Sequence, residues 1–348
     1  MNRKSNKSFI VFLALCMTGL CAFLHADDKG KSQTAAAYLW ITPSIRAAAL
    51  GSAFTGLSDD SGALYYNQGG IALTQRHEIS LTSSMLGLDR KYNYMSYIYS
   101  FAKERNRTSR YWDNWNSLEN REKIFRAPAE RYYGIGIAMT SFGVDAIDSY
   151  DEFGNKGAAI TDAENTVLLG FGINAFEDIY WGINLKLYSQ TLSDVNASGF
   201  GADMGFLFAN PKDRFTWGVS FQNIAAMLKW KVPDDITNLV SEYSEPIQMT
   251  SRLGAAYRFS KKSLLLTDID YASKQNVGWH IGHEYMLNKW TAVRVGMDNT
   301  DPTFGMGFAL LKKSFELEVD YAYVFDTQGL SNLHRLGLTA KFLSMRFI

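Results

Sequence analysis

The stretch Phe315-Glu316-Leu317-Glu318-Val319-Asp320-Tyr321-Ala322-Tyr323-Val324-Phe325 decides the fold. Side chains alternate across an extended strand, so Phe315, Leu317, Val319, Tyr321, Tyr323 and Phe325 share one face while Glu316, Glu318 and Asp320 share the other. A soluble sandwich turns such an acidic face to water and its oily face to a core. A transmembrane barrel turns the oily face to lipid and the acidic face to a wet bore, and similar segments recur from His77 to the end of the chain.

The other end of the sequence favours the barrel. Arg3, Lys4 and Lys7 precede an almost wholly apolar run, Phe9 to Leu24, and Leu24-His25-Ala26 offers a cleavage site before Asp27. Residues 1–26 therefore read as a secretory signal peptide. As an anchor the run is short and lacks a stop-transfer pattern, and Leu20 is too bulky in front of Cys21 for a lipoprotein signal. Cys16 and Cys21 both lie in this leader, so the exported chain has no thiol and needs a stabilising device other than disulfides. Closing a sheet on itself supplies one. Losing Arg3, Lys4 and Lys7 takes the 35 basic residues to 32, against 35 acidic ones, a balance that offers nucleic acid no basic face.

No later stretch approaches a membrane-spanning helix, which excludes a helical membrane protein but not a barrel, where only alternate residues must be apolar. Strands are expected over 77–86, 91–102, 131–142, 164–174, 179–192, 197–208, 214–224, 247–259, 264–273, 278–287, 290–299, 303–311, 315–325 and 334–342. That is fourteen, an even number, and most are close to the roughly 9–11 residues a tilted strand needs to cross a bilayer. If the first runs outward, the periplasmic links 175–178, 209–213, 260–263, 288–289 and 312–314 are all short. The outward links 143–163 and 225–246 are long, as in outer-membrane barrels, although 274–277 and 300–302 are not. Aromatic residues make up 14% of the chain, and Tyr92, Tyr133, Trp181, Trp217, Trp279 and Trp290 sit near strand ends, where interfacial girdles belong. Twelve in-strand glycines, Gly134 and Gly296 among them, suit a wall that curves sharply or is closely approached.

Two segments stand outside the wall, which spans 77–348. The link 103–130 is periplasmic by position yet long and charged; Tyr111, Trp115, Leu118 and Phe125 fall at roughly helical spacing, giving either a short amphipathic helix or a solvated loop. Residues 27–76 precede every strand, begin polar, and contain a helical stretch around 44–54. They are too rich in small residues to form a core alone, so the bore is the economical place for them.

These residues carry a resemblance. Arg46-Ala47-Ala48-Ala49-Leu50-Gly51-Ser52-Ala53-Phe54, Asp59-Asp60 and Ala63-Leu64-Tyr65-Tyr66-Asn67, with the later Tyr150-Asp151-Glu152-Phe153-Gly154-Asn155, resemble the FadL-like outer-membrane transport superfamily. The PorV-like proteins and the FadL-related family of unknown function found in spirochaetes are the members most similar. The resemblance implies an all-β, fourteen-stranded antiparallel transmembrane barrel with an N-terminal helical hatch in its lumen, passing hydrophobic molecules by diffusion. It also implies that Asn67 begins a hatch turn, Asn-Pro-Ala in the family. Here Gln68 and Gly69 replace proline and alanine, so a looser turn is expected.

Beyond the leader the histidines are His77, His280, His283 and His334. His280 and His283 are an odd number apart on one strand and cannot share a metal, so neither catalytic residues, metal nor cofactor is assigned. By alternation Lys186, Arg252, Arg258, Asp268, Asp270, Glu284, Arg294, Asp298, Glu316, Glu318 and Asp320 point inward with mixed signs, fit to pair with each other and the hatch rather than to line a charged pore. The hatch or gating residues are expected to be Arg46, Asp59, Asp60, Asn67, Gln68 and Gly69, with Arg46 tying the hatch to acidic wall residues. An apolar pocket is expected between Phe54, Tyr65, Tyr66 and the inward aromatics Tyr97 and Tyr99, with a lumen arginine meeting a carboxylate. Arg335, Gly337, Ala340 and Phe342 fit a terminal signal for the barrel-assembly machinery. The resulting reading is a non-enzymatic FadL-type transporter of long-chain fatty acids or similar molecules in the outer membrane of a diderm bacterium. Its expected partners are outer-membrane lipids and a hydrophobic ligand. The alternative is a PorV-like scaffold for a periplasmic or secretion partner.

Overall fold

The computed structural model describes residues 35–342 except 75–76, 88, 105–128, 177, 211–212, 234–239, 273–276, 313–314, 326 and 328–331. The expected leader 1–26, most of the 103–130 link and residues 343–348 lie outside the described residues. Fifteen strands follow in order: β1 His77–Met85, β2 Arg90–Glu104, β3 Ala129–Ile147, β4 Ile160–Phe176, β5 Ile179–Leu192, β6 Val195–Ala209, β7 Phe215–Pro233, β8 Val240–Pro246, β9 Thr250–Arg258, β10 Ser263–Ala272, β11 Gly278–Met286, β12 Thr291–Asp298, β13 Asp301–Leu311, β14 Phe315–Val324 and β15 Leu333–Phe342. Each pairs antiparallel with its neighbours, and the β1–β15 ladder, from His77↔Phe342 to Met85↔His334, closes the ring.

The fifteen strands make fourteen staves. β7 pairs with β9 over Phe215–Gln222 and with β8 over Met227–Pro233, so β8 and β9 are two halves of one stave. Opposite the break, in β7, Asn223 and Ala225 take left-handed dihedrals, φ 58° and 51°, and the β6–β7 register shifts between Phe200 and Met204. Such bulges bend a strand and strengthen its twist. The sequence reading placed 225–246 in a loop; most of it is instead the β7–β8 hairpin. Likewise β3 and β4 extend beyond the expected 131–142 and 164–174, consuming much of the link between them.

Alternation sets what each face meets. In β5 the outward Ile183, Leu185 and Leu187 are exposed while the inward Tyr180, Asn184, Lys186 and Tyr188 are buried. The outward set is largely apolar, Leu185 58% and Phe200 66% exposed, interrupted by residues such as Ser83, Asn93 and Thr267, an oily surface far beyond the scattered apolar residues of a soluble protein. No helix among the described residues is long and apolar enough to cross a membrane.

The bore is filled by residues 35–74. The segment runs through a 3-10 turn, Ala37–Trp40, helix α1, Ile45–Ala49, helix α2, Ala63–Tyr66, and a second 3-10 turn, Gln68–Leu73, before joining β1. α1 is much shorter than the expected 44–54 because Gly51 and Ser52, φ 63° and 64°, turn the chain out of it. The wall receives this segment on glycine. Gly134 and Gly172 face each other across β3 and β4, Gly182 and Gly205 across β5 and β6, Gly218 and Gly254 across β7 and β9, and Gly282 and Gly296 across β11 and β12. A Cβ at these positions would run into hatch atoms: Ile71 at Gly134, Gln68 at Gly182, Asn67 at Gly218, Leu50 at Gly282 and Gly51 at Gly296. The glycines expected to permit curvature or approach serve approach, and the contact is largely backbone to backbone.

The belt makes a sharp prediction. Gly134→Val drives a branched side chain into the Ile71 backbone, so unfolding in denaturant is expected at lower concentration by an overpacking cost of about 1–3 kcal/mol or more. Met306→Leu on the outer face is expected to leave the transition in place.

Candidate functional site

The interface between hatch and wall is organised around one guanidinium. Ser44 caps α1 by accepting from the Ala47 amide at 3.2 Å, and the small residues Ala47, Ala48 and Ala49 seat the helix deep in the bore. Arg46 is thereby aimed at carboxylates from both sides. Its Nη1 donates to Asp59 at 2.7 Å and Asp60 at 3.0 Å within the hatch. Its Nε and Nη2 grip Glu284 of β11 bidentately at 2.9 and 3.0 Å, and its plane lies over the Phe54 ring at 5.4 Å. Glu284 also receives Arg294 of β12 at 2.8 Å, and Arg294 reaches Asp320 of β14 at 2.5 Å. One charge chain therefore binds the hatch to three staves.

Burial disfavours the Arg46 charge, but Asp59, Glu284 and Asp60 outweigh it and hold its proton more tightly than in an ordinary arginine. Burial pushes the Asp60 carboxyl upward, against the pull of Arg46. Asp60 also accepts from the Gly62 amide at 2.8 Å at the start of α2, so it caps and pairs at once. Other wall carboxylates hold hatch amides directly: Glu78 accepts from Ser61 at 2.6 Å, and Asp268 from Phe54 and Thr55 at 2.9 and 2.7 Å. His280 lies 3.0 Å from the Gly51 carbonyl and 3.1 Å from Asp270.

The turn expected to be loose is held at three points. The Asn67 amide nitrogen donates to the carbonyls of Thr55, 3.0 Å, and Phe206 on β6, 2.9 Å, while its oxygen accepts from Gly69 at 3.1 Å. Gly69 is needed for proximity: a Cβ there would stand 2.8 Å from the Tyr180 carbonyl oxygen and 3.0 Å from the Leu207 nitrogen. Gln68 is fully buried beside them. From the wall, Gln222 donates to the Tyr65 carbonyl and Asn184 to the Leu64 carbonyl, each at 2.5 Å. Backbone groups left over by short helices are thus satisfied by wall amides.

Phe54, Tyr65 and Tyr66 come together as expected, with ring centroids 5.5 Å apart for Phe54–Tyr66 and 4.9 Å for Tyr65–Tyr66. They are packed against Leu50, Leu264 and Leu266, and Arg252 lies over Tyr66 at 5.3 Å. Tyr97 and Tyr99 do not join them. Both stand on the outer face of β2, where the Tyr97 hydroxyl bonds His77 at 2.8 Å and Tyr99 stacks on the same imidazole at 4.5 Å. The inward residues of β2 include Tyr92, Tyr94, Ser96, Ile98 and Ser100. Aromatic residues occupy both faces of 91–102, so composition there does not give the parity. Arg258 shares the lumen face with Arg252 but lies exposed at the rim.

Sequence reasoning missed Glu78, Lys341 and Arg335 as lumen residues. Lys341 pairs with Glu318 at 2.8 Å, and Arg335 is 2% exposed. The alternation of Arg335, Gly337, Thr339 and Lys341 against Leu336 and Leu338 carried that signal. Removing the hub tests its weight. Arg46→Met leaves Asp60 and Glu284 buried, and Asp59 half-buried, around a missing cation, so a destabilisation of about 3–5 kcal/mol is expected. Protease cleavage within residues 35–74 should then appear at concentrations that leave the wild type intact.

No protein-family model matches this sequence, and no curated protein does either. Among solved structures, the Pseudomonas putida toluene transporter TodX superposes with a TM-score of 0.50 at 12% identity, over 84% of this chain and 96% of that one. The CymD monoaromatic hydrocarbon channel gives 0.49 at 9% identity over 85% and 96%. A Pseudomonas aeruginosa FadL homologue gives 0.47 at 9% identity over 91% and 98%. At such identities the likeness concerns the fold, and the TodX match bears that argument. The chain is a closed fourteen-stave antiparallel barrel of the architecture seen in that transporter.

Proposed function

We propose that this chain is a passive transporter of hydrophobic small molecules in the outer membrane of a diderm bacterium, with long-chain fatty acids and similar amphiphiles as its cargo. The observation that carries the proposal is an oily-walled barrel whose bore is stoppered by its own N-terminal segment. An open polar pore needs no such stopper, whereas a route for molecules that partition into lipid needs one that yields. The names of the solved neighbours, a toluene transporter and a hydrocarbon channel, support a hydrophobic cargo. In this reading residues 27–76 are the hatch, and Arg46, Asp59, Asp60, Asn67, Gln68 and Gly69 hold it shut. Phe54, Tyr65 and Tyr66 are the apolar surface uncovered when it shifts.

Liposomes containing the purified protein are expected to take up oleate faster than empty ones. Ser52→Cys combined with Asp298→Cys replaces a hatch-to-wall hydrogen bond of 2.8 Å by two thiols in a chain whose native cysteines lie only in the leader. Oxidation should stop uptake and reduction restore it. Uptake no faster than in empty liposomes would overturn the proposal. A stoichiometric protein partner co-purifying with a lipid-free lumen would favour the PorV-like scaffold instead.

A further inference from the structure

The outer wall carries a sharp boundary written in strand register. Across β1 to β6 one outward row reads Ser83, Asn93, Ser141, Asn165, Ser189 and Ser198, each paired with the next. The next outward row toward His77 reads Leu81, Met95, Met139, Val167, Leu187 and Phe200. On the other side of Asn93, two residues along β2, the wall is charged at Lys91. Nearby, Tyr321 of β14 and His334 of β15 bond to each other at 2.7 Å. Small polar side chains between an apolar row and a charged one, with polar-tipped rings alongside, mark the depth at which acyl chains meet headgroups.

At this depth the wall is notched. Ser83, Asn93 and Ser141 are short beside Leu81, Met95, Met139, Leu336 and Leu338, and the hollow they floor has a volume of about 550 Å³, within the range of small-molecule sites. The Ser83 hydroxyl donates to the Asn93 side-chain oxygen at 2.9 Å, which leaves both hydrogens of the Asn93 amide without a partner among the described residues. Donors that face hydrocarbon cost free energy, because hydrocarbon offers no acceptor. Their complement is a molecule that brings acceptors on an apolar body. A second copy of this chain fits poorly, since a two-fold axis sets hollow against hollow and leaves both unfilled.

We infer that this notch binds a diacyl glycerophospholipid of the surrounding membrane, one ester carbonyl accepting from the Asn93 amide and one acyl chain lying along Leu81, Met95, Met139 and Leu338. Ester carbonyls stand at the head of the acyl chains, which is the depth the polar row marks. The two methionines adapt to a chain of unfixed conformation, and Lys91 lies on the phosphate side of the carbonyl. The site belongs to the outer wall. It rests on that wall lying in lipid, not on transport through the bore.

Native mass spectrometry of the full exported chain, released from detergent after exchange with one lipid at a time, provides the test. The probes are dioleoyl phosphatidylethanolamine and its ether-linked analogue, which keeps the headgroup and chains but lacks both carbonyls. The wild type is expected to retain one ester lipid about fivefold better than the ether lipid, the factor that one hydrogen bond supplies. Asn93→Leu removes the donors and should abolish the preference, while Ser141→Trp fills the hollow and should abolish retention of both lipids. Thr267→Leu, a polar-to-apolar change on the exposed outer face of β10, should alter neither. Heat-modifiable migration on gels reports that each variant is folded, and if Ser141→Trp does not fold the Asn93→Leu comparison decides. Equal retention of the two lipids by the wild type, a preference that survives Asn93→Leu, or a lipid-free dimer overturns the assignment. Failure of oleate uptake removes the transporter reading and leaves this site standing.

Discussion

Everything in this structure depends on a folded segment meeting a β-wall at backbone distance inside a closed ring. A barrel of fourteen staves encloses space that its own side chains do not fill, and residues 35–74 occupy it. Such close approach is possible only where wall side chains are missing, hence the paired glycines facing Leu50, Gly51, Asn67, Gln68 and Ile71. Close packing then turns an insertion of one methyl group into a steric conflict with main chain, which cannot rotate away.

The second requirement follows from the first. A hatch made of helices of four and five residues brings many unsatisfied amides and carbonyls into a region sealed from bulk water. The wall answers with side chains instead of ladder: Asp268 and Glu78 accept from hatch amides, while Gln222 and Asn184 donate to hatch carbonyls. Asn67 does both at once from the hatch side. Arg46 carries the charge of the arrangement, and its four carboxylate contacts make the seat specific in register as well as strong.

The sequence by itself pointed to the closed antiparallel wall, because period-two alternation in segments such as 179–188 and 315–325 recurs in fourteen segments of the length and link pattern of a barrel, which a sandwich does not require. It also pointed Arg46 at acidic wall residues, since alternation already put Glu284 inside. The tertiary structure decided the rest. It placed Tyr97 and Tyr99 outside, because a strand aromatic on both faces has no legible parity. It drew α1 in to five residues and divided one stave into β8 and β9, because left-handed turns at Gly51, Ser52, Asn223 and Ala225 answer to neighbours far along the chain. It set Leu336 and Leu338 of β15 beside Ser83 and Leu81 of β1, because register between strands from opposite ends of the chain is settled only when the ring closes.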